Sequence, residues 1–127
     1  MKKVVIVDDS KAVIGMVDLA LTDLREAGAI DFAVYQNPLD VVALIEAGNF
    51  DFDLMFCDVN MPQMSGYELV QNVKGCAKVA SKPILMLTTE AGADSKETAK
   101  KLGVTGFIAK PFSEQKIQMA VKKLLAL

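Results

Sequence analysis

No histidine occurs anywhere in the 127 residues. That excludes Ser–His and Cys–His nucleophile pairs, histidine metal ligands and any phosphohistidine on this chain. Cysteine is nearly as scarce: Cys57 and Cys76 are too few for a disulfide framework or a zinc site and read as reduced thiols. Long hydrophobic runs are missing too. Val41 to Ile45 is typical of the longest, far short of the ~18 residues a membrane span needs. The opening Met1-Lys2-Lys3 leads into Val-Val-Ile-Val and then Asp8-Asp9. That stretch is too short for a signal-peptide core, so a cytoplasmic protein is expected. Neither a Gly-rich P-loop nor a dinucleotide fingerprint is present. A formal net charge of -2 supplies no global basic field, which argues against nucleic acid as a partner.

What remains is globular. Hydrophobic residues make up 52% and charged residues 24%, and the length suits one domain over 1–127 with no room for a second core. No repeat, low-complexity segment or linker interrupts it. The charge is uneven. Residues 1–89 carry 7 Lys and Arg against 12 Asp and Glu, whereas residues 90–127 carry 7 against 4.

Short apolar runs at Lys3–Val7, Phe32–Gln36, Asp53–Cys57, Ile84–Thr88 and Gly106–Ala109 read as strands buried on both faces. Helical stretches alternate with them. The first carries Val13, Ile14, Val17, Leu21 and Leu24 on one stripe and stops at Gly28. The second opens at Asn37-Pro38 and closes at Gly48, and the third opens on the capping-box pattern Ser65-Gly66-Tyr67-Glu68. The fourth opens at Asp94-Ser95 and stops near Gly103, and the last starts at Ser113 and buries Ile117, Ala120, Val121 and Leu124. Five strands alternating with five helices predict an α/β fold. It would be a (βα)5 doubly wound five-stranded parallel sheet with right-handed crossovers, a fold that places its sites at the carboxyl ends of the strands.

That rule gathers dispersed polar residues. Strand 1 ends in Asp8-Asp9, strand 3 in Asp58, strand 4 in Thr88-Thr89-Glu90, and strand 5 runs out through Lys110-Pro111. Three carboxylates a few ångströms apart repel, and at least one pKa should rise unless a cation intervenes. One lysine leaves the group at -2, which a single divalent cation cancels. Oxygen-only donors favour a hard ion, and Mg2+ takes one or two carboxylates together with phosphate oxygens.

The chain resembles the receiver domains of two-component response regulators, most like the single-domain chemotaxis type. The resemblance runs the whole length and rests on Val-Asp-Asp-Ser (7–10), Cys-Asp-Val-Asn-Met-Pro-Gln-Met-Ser-Gly (57–66), Leu-Thr-Thr-Glu-Ala (87–91) and Gly-Phe-Ile-Ala-Lys-Pro-Phe (106–112). It implies a flavodoxin-like fold with strand order 2-1-3-4-5. It further implies that Asp58 accepts a phosphoryl group from phosphohistidine of a sensor kinase or from a small donor. Asp8, Asp9, Asp58 and the Asn60 backbone carbonyl would hold Mg2+, while Thr88 and Lys110 would bind the phosphoryl oxygens. Thr88 and Phe107 would form the switch, and Asn60 and Glu90 would tune self-dephosphorylation. A cis peptide is implied at Lys110-Pro111. Where the family often has Tyr, Phe107 has no hydroxyl, so a switch there works through ring burial alone. Thr89 stands where the family usually has a smaller residue, which would narrow access for donors or a phosphatase.

The fourth predicted helix has a thin apolar stripe of Ala91, Ala99 and Leu102 against Lys96, Glu97, Lys100 and Lys101. A helix that buries little shifts for little energy. The expected output surface is therefore the fourth helix, fifth strand and last helix, which is the basic end of the chain, and it should take an acidic or amphipathic segment of a downstream protein. The flagellar motor switch is one candidate target, a phosphatase is a further candidate partner, and a monomer is expected. The leading reading is a phosphorelay switch that catalyses only its own phosphorylation and dephosphorylation. The alternatives are a constitutive protein-binding pseudo-receiver and a phosphate sink without output. An aspartyl-nucleophile phosphatase is disfavoured, because the position two after the nucleophile is Asn60, which cannot serve as a general acid.

Overall fold

The structure is a computed structural model that describes residues 1–89 and 93–127. Five parallel strands alternate with helices: β1 (Lys2–Val7), α1 (Lys11–Ala20), α2 (Thr22–Glu26), β2 (Ile30–Tyr35), α3 (Pro38–Glu46), β3 (Leu54–Asp58), α4 (Gly66–Lys74), β4 (Ile84–Thr88), α5 (Ala93–Leu102), β5 (Gly106–Ala109) and α6 (Glu114–Leu125). The sheet order is β2-β1-β3-β4-β5, as the resemblance implied. Helices on both faces explain why the strands are continuously apolar. Successive side chains point to opposite faces. Val4, Ile6, Leu54, Phe56, Leu85 and Leu87 accordingly pack with α1 and α6, through Val17, Ile117 and Val121. Val5, Val7, Met55, Cys57, Ile84 and Met86 pack on the other side with Val41 of α3 and with Leu69, Val70 and Val73 of α4.

Local signals operate where they were expected. Ser10, Asn37, Ser65 and Ser113 cap their helices by accepting from the backbone N–H of Val13, Leu39, Glu68 and Lys116. Gly28 takes a left-handed backbone (φ 74) at the stop after α2, a conformation that costs glycine nothing. Three readings need correction. The second strand runs from Ile30 to Tyr35 and not from Phe32 to Gln36, and at the sheet edge it leaves Asp31 and Val34 exposed and is not buried on both faces. The first predicted helix is two: the backbone turns at Leu21 (φ -100, ψ 2), whose N–H bonds back to α1 carbonyls, before α2 restarts. The apolar stripe continues through this turn because Leu21 is itself fully buried, so periodicity could not reveal it. The third strand begins at Leu54 and includes Asp58. Asp53 lies just before it and accepts from the Lys3 backbone N–H at 2.8 Å, tying the start of β1 to that of β3.

Candidate functional site

Register assembles the site. β1 and β3 pair in parallel up to Val7 opposite Cys57, so Asp8 and Asp58 come side by side one residue further on. Neighbouring strands lie about 4.8 Å apart, and oxygens of Asp8, Asp9 and Asp58 all fall within 4.8 Å of one another. β4 and β5 pair up to Thr88 opposite Ala109. Lys110 follows, and its Nζ donates to Asp58 Oδ1 at 3.0 Å and to Asp8 Oδ2 at 3.2 Å. The Lys110-Pro111 peptide is cis. Thr88 closes β4 and is buried.

Burial differs among the three acids. Asp8 is fully buried, Asp58 keeps 8% of its side chain exposed, and Asp9 is exposed. The cluster therefore opens to solvent on the side of Asp9. Burial is the largest influence on Asp58 and raises its carboxyl above the ordinary range. The Lys110 hydrogen bond and the Asn60 backbone N–H act downwards, and the Asp8 charge adds to the rise. Burial disfavours the charge on Lys110, but the hydrogen bond to Asp58 and both carboxylate charges outweigh it, so its pKa moves up. The Cys57 thiol is wholly buried and points at the Asp58 carbonyl. Burial first, then the Asp58 and Asp8 charges, drive its pKa strongly upward, which holds it protonated.

Two supports for the cluster were not read from the sequence. The Ser10 backbone N–H donates to Asp8 Oδ1 at 2.8 Å, so the turn that caps α1 also orients a site carboxylate. Gly66 opens α4 directly against the end of β3. A Cβ there would collide with the Asp58 carbonyl oxygen and press on Met86, and the Gly66 N–H donates to the Val59 carbonyl at 2.7 Å. The available signal was a glycine at the first helical position after Ser65, where any ordinary helix former would serve. Asn60 is exposed, two residues past Asp58. Glu90, named for self-dephosphorylation, and Ala91 of the apolar stripe lie outside the described residues. Phe107 is half-buried on β5, packed against the core on the α4 side.

Three carboxylates and one ammonium, with oxygen-only donors, fit a hard divalent cation. Among the described residues no helix is long and apolar enough to cross a membrane.

Comparison with known proteins agrees in outline. The chemotaxis protein CheY of Pseudomonas aeruginosa is 32% identical over 122 residues, covering 96% of this chain and 94% of that protein. The structure of the chemotaxis response regulator CheY4 of Vibrio cholerae superposes with a TM-score of 0.83 at 33% identity, over 98% of both chains. The receiver domain of the sensor histidine kinase PA1611 from Pseudomonas aeruginosa, solved with magnesium coordinated in its active-site cleft, shares the fold at a TM-score of 0.82 and 18% identity, over 99% and 98% of the two chains. The response regulator receiver domain model matches residues 4–122. With that match spanning nearly all of it, this chain belongs to the response regulator receiver domain family.

Proposed function

We propose that the chain is a single receiver domain over 1–127 that accepts a phosphoryl group on Asp58 from the phosphohistidine of a sensor kinase, or from a small phosphodonor. The observation that carries this is the Asp58 carboxylate, within 4.8 Å of Asp8 and Asp9 oxygens and 3.0 Å from the Lys110 ammonium at the solvent edge of the sheet. An Asp58 oxygen attacks phosphorus, the donor's P–N or P–O bond breaks, and an acyl phosphate forms. A carboxylate is a weak nucleophile, so positioning and charge neutralisation do most of the work. Asp8, Asp9, Asp58 and the Asn60 carbonyl would hold Mg2+, which when bound supplies the positive charge the cluster lacks. Lys110 already reaches the acceptor oxygen and would follow it to a phosphoryl oxygen, and Thr88 would bind another.

Modification raises the charge at Asp58 from -1 to about -2 and adds three acceptor oxygens. Movement of Thr88 toward them would free space for the Phe107 ring and change the α5–β5–α6 surface. The sparse anchoring of α5 supports this: Ala99 is buried and Leu102 half-buried, while Lys96, Glu97, Lys100 and Lys101 are all exposed. Asn60 and Glu90 would tune attack by water on the acyl phosphate. The resemblance to chemotaxis proteins supports a monomeric, cytoplasmic role in chemotaxis, with the flagellar motor switch as candidate target and a phosphatase as candidate partner. The test is to add Mg2+ and beryllofluoride to the wild type and to Asp58→Asn while recording amide NMR spectra. Metal-dependent shifts at Thr88 and along β5 in the wild type alone are expected, and silence in both proteins would leave an inert binding module.

A further inference from the structure

β2 forms one edge of the sheet, with β1 beside it. Two hydrogen bonds fix which of its backbone groups point inward. The Lys2 N–H donates to the Ala29 carbonyl and the Asp8 N–H to the Tyr35 carbonyl. In a parallel pair the polar groups of one residue point the same way, and the direction alternates along the strand. Ala29, Asp31, Ala33 and Tyr35 therefore face β1, while the N–H and C=O groups of Ile30, Phe32 and Val34 face away from the sheet. Such an edge is a template for another strand. The Val34 residue is 41% exposed within it, and Leu39, at the start of α3, is 50% exposed.

Charge decides which chain the template accepts. Residues 12–52 carry Arg25 against seven Asp and Glu. Asp23 and Glu26 on α2, Asp31 on β2, and Asp40 and Glu46 on α3 are all exposed, and α2 and α3 both pack beside β2. The two helices lie on opposite faces of the sheet: Leu24 of α2 joins the core on the α1 side, and Val41 of α3 joins the other. An added strand sends alternate side chains to both faces, so it meets acids on each. Arg25 offsets little of this, since it pairs with Asp18 and lies over the Phe32 ring. Like charges repel across paired strands. The acids thus guard the edge against a second copy of the chain while leaving it open to a segment of opposite sign. A helix bonds its own backbone internally and would leave the outward groups of β2 unpaired. We infer that the β2 edge docks a short extended segment of a partner protein, rich in Lys or Arg, as a sixth strand beside β2. Main-chain bonds to Ile30, Phe32 and Val34 supply the affinity, and the flanking acids select the charge. The surface lies across β1 from Asp58 and does not depend on the phosphoryl reading.

The probe is a capped octapeptide of repeating Lys-Lys-Val-Val, which offers basic and apolar side chains to both faces. It is titrated to millimolar concentration into the full chain at low salt and followed by amide NMR. The controls are its Asp-Asp-Val-Val counterpart, a fully N-methylated version that keeps the side chains but has no backbone donors, and a stapled helical peptide of the same composition. Expected are shifts and slowed hydrogen exchange at the outward amides of Ile30, Phe32 and Val34, with smaller shifts along α2 and α3. The N-methylated and helical versions should bind at least tenfold more weakly, and the acidic one should not bind. Asp31→Lys and Glu46→Lys should each weaken binding severalfold. Val34→Pro removes an outward N–H without touching the β1 ladder, and it should weaken binding beyond Val34→Ala. Equal binding of the N-methylated peptide, tighter binding of the helix, equal binding of the acidic peptide, self-association of the chain through residues 30–35, or no shifts at these amides would overturn the inference. The peptide and charge arms decide it even where the proline variant does not fold.

Discussion

Lys110→Met isolates the charge balance of the site. Lys110 sits 3.0 and 3.2 Å from two carboxylates, and its side chain is only 16% exposed. At an effective dielectric of about 20, each contact is worth roughly 5 kcal/mol of Coulomb attraction, and Asp8 and Asp58 repel by roughly 3–4 kcal/mol. Returning the ammonium to water recovers several kcal/mol. The net loss should therefore match that for breaking a buried ion pair, about 3–5 kcal/mol. Urea unfolding at pH 7 without divalent cations is the assay. With a slope of about 2 kcal/mol/M, the midpoint should fall by about 1.5–2.5 M. The pH dependence carries the sharper test. Asp58 is already raised by burial and the Asp8 charge; without the lysine it titrates higher still in the folded state than in the unfolded one, so folding gains protons as pH falls. The gap between variant and wild type should be widest near pH 7 and close as the solution is acidified through the raised folded values. Mg2+ at neutral pH should close it as well. A variant as stable as the wild type at pH 7, or a gap that stays constant with pH, would refute this account of the cluster.

Other changes test separate parts. Asp53 has a lowered pKa because the Lys3 backbone N–H bonds to it, burial acts in opposition, and Lys82 at 3.4 Å adds to the lowering. Asp53→Asn should cost about 1 kcal/mol at neutral pH, a loss present above the unfolded value near 4 and vanishing as pH falls through the lower folded value, seen in melts at pH 3 to 7. Gly66→Ala pushes a methyl into the Asp58 carbonyl and should cost about 1–3 kcal/mol, with amide shifts at Asp58 to Asn60 beyond those of Ser65→Ala. Asp9→Asn removes the exposed acid of the cluster. It should leave the metal-free melting temperature within a degree or two yet abolish the rise that Mg2+ produces in the wild type.

Much of the architecture was legible because a parallel sheet covered on both faces writes itself as short apolar runs, and because caps at Ser10, Asn37, Ser65 and Ser113 act over three residues. The break at Leu21 was not, since a buried leucine satisfies the helical stripe whether or not the helix continues. Asp8, Asp9, Asp58, Thr88 and Lys110 could be named as strand-end residues from the alternation alone. The importance of Gly66 could not be read, because it depends on how closely α4 approaches the end of β3.

The order of residues along the chain, by itself, determined the fold class, the identities of the acids and lysine at one rim of the sheet, and the lack of histidine that makes any metal site here an oxygen site. These follow from period, composition and chain order, which are local properties. Only the tertiary structure decided that Lys110 bonds to an aspartate 102 residues away, and that Asp58 is nearly enclosed while Asp9 faces water. Those outcomes depend on strand register and helix packing, where shifts of a few ångströms between distant segments set distance, burial and charge.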